Sequence, residues 1–195
     1  MSLRPDLRVI ADHVPRGARV LDVGCGDGGL LATLRSLRDA DARGIEIDGA
    51  NVSAAVARGL SVVQGDADRD LADYPNDAVD YAILSQTLQT VRHPDRVLAE
   101  LLRIAPRAFV SFPNFAYWQV RWALLRSGRM PVTAALPVSW WETANIHQLT
   151  VADFRALVAE RGWRAERAWF LTSDRRCGAR GANWRAEHAV FLLGR

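Results

Sequence analysis

The feature that most constrains this chain is an abrupt change of pattern near its start. The apolar run Val20-Leu21-Asp22-Val23 stops at Gly24-Cys25-Gly26-Asp27-Gly28-Gly29, and apolar residues resume from Leu30 with helical spacing. A strand that runs through glycines straight into a helix is the opening of a βαβ unit. Glycine is needed at such a turn for two reasons. A side chain at Gly24 or Gly26 would block close backbone approach to a ligand, and only glycine adopts positive φ cheaply.

The rest of the chain alternates in the same way. A first helix is expected near Pro5 to His13. Strands are expected near Arg19 to Val23, Ala42 to Ile47, Leu60 to Gln64, Val79 to Leu84 and Ala108 to Phe112. Helices are expected after Gly28, after Gly49 and from Pro94 to Ile104. Thr150, with an acid at Asp153, predicts a capped helix that Gly162 ends, and Trp163 to Leu171 and Glu187 to Leu193 read as two further strands. This is an α/β pattern, a doubly wound and mostly parallel seven-stranded sheet with helices on both faces. Its ligand site belongs at the carboxyl ends of the strands. A chain of 195 residues with 49% hydrophobic content buries a sizeable core as one domain, 1–195, without a second unit.

The glycines alone do not choose a ligand, since Gly24, Gly26 and Gly29 also fit the G-x-G-x-x-G pattern of a nicotinamide dinucleotide site. Asp22 before the first glycine, the Gly24-x-Gly26-x-Gly28 alternation, and Gly65-Asp66-Ala67 after a later apolar run add detail that a nicotinamide site leaves unexplained. Together they resemble the class I S-adenosylmethionine (SAM)-dependent methyltransferases. That resemblance implies a Rossmann-like sheet with terminal antiparallel strands and a site for SAM or S-adenosylhomocysteine. It implies that Asp22 orients the loop and the ligand's ammonium, that Glu46 meets the ribose hydroxyls, and that Asp66 meets the adenine amino group. The implied cofactor-binding set is completed by Gly24, Cys25, Gly26, Gly28, Ile47, Ala67 and Ser85.

Composition excludes several classes. All 25 cationic side chains are arginines, which raises the pI to about 9.4 while the net charge is only +3. They are scattered, and the denser group Arg175, Arg176 and Arg180 reads as a solvated loop, so no nucleic-acid partner is expected. Residues Met1 to Asp12 lack an apolar signal core, and no run approaches the roughly 20 apolar residues of a membrane span. No membrane partner follows, and a cytoplasmic location is the default. Cys25 and Cys177 read as plain thiols. The four histidines form no metal-ligand spacing, so no metal is expected.

Between the fifth strand and the capped helix, residues 113–149 exceed the usual connection of roughly 2 to 6 residues in an α/β unit. This insertion carries Tyr117, Trp118, Trp122, Trp140 and Trp141. It reads as a substrate lid or a partner-docking segment, with core packing of Trp118 and Trp122 as the structural alternative. Four separated stretches in and before it carry a closer resemblance. Ser85-Gln86-Thr87-Leu88-Gln89, Ser111-Phe112-Pro113-Asn114-Phe115, Gly128-Arg129-Met130-Pro131-Val132 and Trp140-Trp141-Glu142-Thr143-x-Asn145-Ile146-His147 resemble the MetW family of methionine-biosynthesis proteins. Membership implies a methyltransferase-like protein that works with homoserine O-acyltransferase.

Catalytic machinery is less legible. Methyl transfer is an in-line displacement that needs alignment, water exclusion and sometimes a base. His147 is the foremost base candidate, followed by Tyr117 and Glu142. The Asn-Pro-Pro-Tyr signature of amide-nitrogen methylation is replaced by Ser85-Gln86-Thr87. The fifth strand is entered through Ile104-Ala105-Pro106-Arg107-Ala108, with no glycine pair. Three functions compete on this reading. They are a SAM-holding partner that supports or regulates the acyltransferase, a SAM-dependent methyltransferase for an unidentified small molecule, and a scaffold without cofactor.

Overall fold

The structure, a computed structural model, describes residues 3–133, 136–173 and 175–195. Helix α1 (Pro5–His13) starts on a proline, which presets φ and lacks an N–H that would go unused there. It is followed by β1 (Arg19–Val23), α2 (Gly29–Arg38), β2 (Asp41–Glu46), α3 (Gly49–Ala57) and β3 (Ser61–Gln64). The Asp48 carboxylate caps α3 by accepting the Ala50 and Asn51 N–H groups. A short 3-10 turn (Asp70–Asp73) leads to β4 (Tyr81–Ser85), α4 (Pro94–Ile104) and β5 (Arg107–Pro113). In α4 the buried Val97, Leu98, Leu101 and Leu102 repeat at helical spacing and turn one face to the sheet.

After α5 (Trp118–Ser127) the insertion runs to α6 (Val151–Glu160), which the Thr150–Asp153 capping box starts as the sequence predicts. Strand β6 (Arg164–Thr172), a short β7 (Arg175–Cys177), the single turn α7 (Ala182–Arg185) and β8 (His188–Gly194) close the chain. The sheet order is β3-β2-β1-β4-β5-β8-β6-β7, with β1 to β5 parallel and β8 antiparallel between β5 and β6.

Among the described residues the sheet therefore has eight strands where the sequence predicts seven. The added strand is β7, paired with β6 through Phe170↔Cys177, Leu171↔Arg176 and Thr172↔Arg175. Two of its three residues are the arginines expected in a loop. So short and charged a segment carries no alternating apolar signal, and those same traits suit an exposed sheet edge.

Strand alternation places the polar groups. Val20, Ile83, Phe109 and Val190 face α1 and α2, whereas Leu21, Leu84, Val110 and Phe191 face α4 and α6. With a period of two, Asp22, Ser85, Ser111 and His188 all lie on the α1 side, at the edge where the parallel strands end. One face of that edge is thus polar while the body of the sheet is apolar on both sides.

Candidate functional site

The glycine loop is held by its neighbours rather than by itself. The Gly24 and Cys25 N–H groups both donate to the Ile45 carbonyl, at 2.8 and 3.2 Å. The Glu46 carboxylate, at the end of β2, accepts Gly26 N–H at 2.7 Å on one oxygen and Asp48 N–H at 2.9 Å on the other. Gly24, Gly26 and Gly28 take φ of 74°, 56° and 78°. Their roles differ. A Cβ on Gly24 would stand 2.3 Å from Thr87 Oγ1, and one on Gly28 would stand 2.4 Å from Leu60 Cδ1, so these two glycines permit close packing. A Cβ on Gly26 would meet nothing within 4 Å, so this glycine alone faces open space.

Cys25 belongs to the packing. Its Sγ would lie 2.5 Å from a Cβ on Gly44. Burial, with Asp22 and Glu46 nearby, pushes its thiol up to about 12. A thiol that stays protonated at neutral pH is a poor nucleophile.

Below the loop lies a network that crosses the whole chain. Ser85 and Ser111 hydroxyls donate to Asp6 Oδ2 at 2.9 and 2.8 Å, and Arg4 Nη2 donates to Ser85 Oγ at 2.9 Å. Arg4 Nε also pairs with Asp6 Oδ1 at 3.3 Å; the Arg4 side chain is 53% exposed and that of Asp6 4%. Burial pushes Asp6 up, but Arg4 and the two serines outweigh it and leave the carboxyl below its ordinary range. His188, held low by burial, stands 3.1 Å from the Gln86 amide. Gln86 itself adopts φ of 56°, a left-handed conformation that a residue with a side chain takes at a cost of order 1–3 kcal/mol.

Asp22 stands apart. It is buried, and its Oδ1 has no hydrogen-bond partner among the described residues. Burial is the main force that raises its carboxyl to about 7, with Glu46 and Asp6 adding to it and Arg4 opposing. A buried, unpaired carboxylate oxygen is costly unless a donor or cation reaches it.

Two cavities meet at Gly24. One, of about 140 Å3, is walled by Arg4, Leu7, Asp22, Cys25, Gly26 and Ser85 among others. The second, of about 330 Å3, is walled by Val23, Ile45, Ile47, Gly65, Asp66, Ala67, Thr87, Arg92 and Ala144 among others. Of the expected cofactor residues, Asp22, Gly24, Cys25, Gly26 and Ser85 line the first cavity, and Gly24, Ile47, Asp66 and Ala67 line the second. Glu46 and Gly28 line neither; Glu46 fastens the loop and Gly28 packs against Leu60.

None of the three base candidates lines either cavity. Tyr117 is buried in a satellite cluster with Val120 and Leu136. Glu142 is exposed. His147 borders a separate cavity of about 230 Å3 beside Leu88, Pro94 and Phe154, with its Nε2 buried and without a partner. Trp118 and Trp122 lie at i and i+4 on α5 as predicted, but they are 40% and 57% exposed rather than packed into the core.

Sequence reasoning missed Arg4 and Asp6. The run Arg4-Pro5-Asp6 reads as a helix start, and nothing local announces that Asp6 will meet a serine 105 positions away. Thr87, Gln89 and Ala144 were also passed over as individuals, although the resemblance motifs contain or flank them. Among the described residues, no group of three or more His, Cys, Asp or Glu is placed to hold a metal ion, and no helix is long and apolar enough to cross a membrane.

The fold has many solved counterparts. A SAM-dependent methyltransferase from Mesorhizobium loti superposes with a TM-score of 0.71 over 98% of this chain and 96% of that one, at 18% identity. One from Archaeoglobus fulgidus gives 0.70 over 97% and 91%, at 13% identity. The [4+2]-cyclase SpnF gives 0.69 over 97% and 80%, at 20% identity, so proteins named for different reactions share this architecture. A curated relative from Rhodopirellula baltica, the bifunctional methionine biosynthesis protein MetXA/MetW, is 35% identical over 169 residues. That match covers 82% of this chain and 27% of the relative, so the chain spans about a quarter of the relative's length. The family model for methionine biosynthesis protein MetW matches residues 4–193, from the arginine over the smaller cavity to Leu193 in the last strand, and the chain belongs to the MetW family.

Proposed function

We propose that this chain is a SAM-binding, methyltransferase-like subunit that supports homoserine O-acyltransferase in methionine biosynthesis. The observation that carries the ligand half of this reading is the unpartnered Asp22 Oδ1, which shares the smaller cavity with the Arg4 guanidinium. A buried carboxylate and a half-exposed guanidinium in one cavity complement the ammonium and carboxylate of an amino-acid tail. The adjoining cavity suits the adenosine half. Ile47 and Ala67 offer apolar walls to a base, and Asp66 offers an acceptor to its amino group.

Glu46 takes a second part beside the ribose contact that the resemblance implies. With each oxygen already accepting a backbone N–H, it retains one acceptor direction per oxygen for ribose hydroxyls while it fixes the loop. When bound, SAM supplies a methyl group on a sulfonium centre. Of the three base candidates, Tyr117, Glu142 and His147, none lines either cavity; the titratable side chains that do include Asp22 and Asp66. The partner half rests on family membership and on the Rhodopirellula baltica relative, whose name joins MetXA to MetW.

Calorimetric titration with S-adenosylhomocysteine and with 5′-methylthioadenosine, which lacks the amino-acid tail, tests the ligand. Arg4→Ala is expected to weaken S-adenosylhomocysteine by roughly tenfold or more, the worth of a charge-assisted bond, and to leave methylthioadenosine unchanged. A folded protein that binds neither compound overturns the reading. Homoserine acylation by the acyltransferase of the same organism is expected to rise when the chain is added, and an unchanged rate overturns the partner half.

A further inference from the structure

The larger cavity has one wall that does not come from the methyltransferase framework. Ala144 belongs to the aromatic insertion, three residues after Trp141 and two before Ile146, and it lines the same space as Asp66 and Ile47. A molecule that fills this space meets the insertion at Ala144.

The insertion is also tied to the loop after β4, which lines that cavity through Thr87 and Thr90. Ile146 and His147 N–H groups both donate to the Gln89 carbonyl, at 2.9 and 3.0 Å. Gln89 is buried and its amide donates to the Gln86 carbonyl at 2.8 Å. Between them, Thr87 leans on Gly24 so closely that a methyl group would not fit. The loop after β4 therefore joins the glycine cradle to the returning end of the insertion.

Just before this tie the chain presents Trp140 and Trp141 to solvent, 69% and 68% exposed, with their rings edge to face at 5.6 Å. Exposed tryptophans in one patch are costly in water and favoured at the centre of protein interfaces. The described part of the insertion beyond α5 contains no helix or strand, so its placement depends on contacts such as that with Gln89. Across the insertion as a whole, Arg121, Arg126 and Arg129 are exposed and Glu142 is the single acid in its sequence, so a partner of complementary chemistry brings apolar side chains together with carboxylates.

We infer that the Trp140–Trp141 face is the docking surface for the acyltransferase and that a ligand in the larger cavity sets its presentation, through Ala144 and the Gln89 hydrogen bonds. The inference rests on the function proposed above. The occupant is the module named beside MetW in the Rhodopirellula baltica relative, whose name joins MetXA to MetW; two modules that work together need a face on which they meet.

The test uses the full chain, S-adenosylhomocysteine and the homoserine O-acyltransferase of the same organism. Saturating S-adenosylhomocysteine is expected to slow amide exchange at Ile146 and His147 and to shift tryptophan emission, with the shift lost in Trp140→Phe combined with Trp141→Phe. Acyltransferase affinity is expected to change by roughly 5- to 150-fold between ligand-free and saturated protein, the usual range of coupling between two sites. Trp140→Ala with Trp141→Ala is expected to abolish that association and keep S-adenosylhomocysteine affinity. If S-adenosylhomocysteine fails to bind, the ligand reading itself falls and the coupling falls with it. If it binds while amide exchange, emission and acyltransferase affinity stay the same, the coupling alone is overturned. Association that survives the double substitution, or self-association of the chain through these tryptophans, overturns the docking surface.

Discussion

The glycine cradle and the aromatic insertion meet at Ala144, and they are built by opposite means. In the cradle the backbone is pinned from several directions: Ile45 holds two amides of the loop, Glu46 holds a third, and Thr87 fills the space above Gly24. Its side chains are small or buried, and the surrounding sheet is apolar on both faces. The insertion has a firm stem, where Phe115 N–H donates to the Leu149 carbonyl and Asn114 bonds Ala116, Val151, Asn183 and Ala186. Beyond α5 it turns large apolar side chains outward. A site that must recognise one small molecule repeatedly gains from rigidity, whereas a surface that meets a partner keeps its apolar area uncovered until the partner arrives.

The sharpest way to break this contrast is at Gly24. Gly24→Val places a branched side chain into Thr87 at φ of 74°, and the clash together with left-handed strain is expected to cost roughly 3 kcal/mol or more. Urea unfolding reads the loss. A fall of under about 1 kcal/mol would mean that the cradle is as pliant as the insertion.

Glu46→Gln comes next. Its carboxamide nitrogen cannot accept the N–H that one carboxylate oxygen now takes, so one part-buried amide loses its acceptor, at roughly 1 kcal/mol. The effect is expected in the ligand-free protein. A variant that weakens S-adenosylhomocysteine with no change in unfolding would assign Glu46 to the ligand alone.

Asp22→Asn separates stability from recognition. In the ligand-free protein the Asp22 carboxyl is raised from 3.8 to about 7, chiefly by burial. The folded value lies above the unfolded one, so Asp22 favours the fold below about pH 4 and that contribution is lost as pH rises to about 7. Asn is therefore expected to flatten this part of the stability profile and to stabilise the ligand-free protein at pH 8. Ligand binding moves the other way. A cationic group beside Asp22 favours its ionised form, so S-adenosylhomocysteine affinity is expected to rise from pH 6 to pH 8 in the wild type, whereas Asn weakens it and removes the rise. An unchanged pH profile in the variant would detach Asp22 from recognition.

The smallest effect on the fold is expected from Trp140→Ala with Trp141→Ala. Both side chains are largely exposed, so unfolding free energy should stay within about 0.5 kcal/mol of wild type. A larger loss by urea unfolding would show that these rings hold the insertion together and would erase the contrast with the cradle.

Much of this molecule is legible without coordinates, and the legible parts share one property: they are local. The helices Pro5–His13 and Pro94–Ile104 and the strand Arg19–Val23 fall where proline starts and apolar periodicity place them. The α6 capping box follows from Thr150 and Asp153, two residues three positions apart that meet at any helix start. The carboxyl-edge position of Gly24, Asp66 and Ser85 follows from the order of strands and helices. What stayed hidden was short or depended on distance. β7 has too few residues and too much charge to announce a strand, and the exposure of Trp122 turns on which face of α5 the tertiary fold leaves uncovered.

The sequence by itself determined a βαβ opening, its glycines and the aromatic insertion, because hydrophobic period, capping and turn chemistry act over a few residues. Only the tertiary structure decided that Asp6 would draw Ser85 and Ser111 together, that Asp22 would be left without a partner beside Arg4, and that Ala144 would close the larger cavity. Those outcomes depend on register: one step along β4 or β5 would turn Ser85 or Ser111 to the opposite face of the sheet, away from α1.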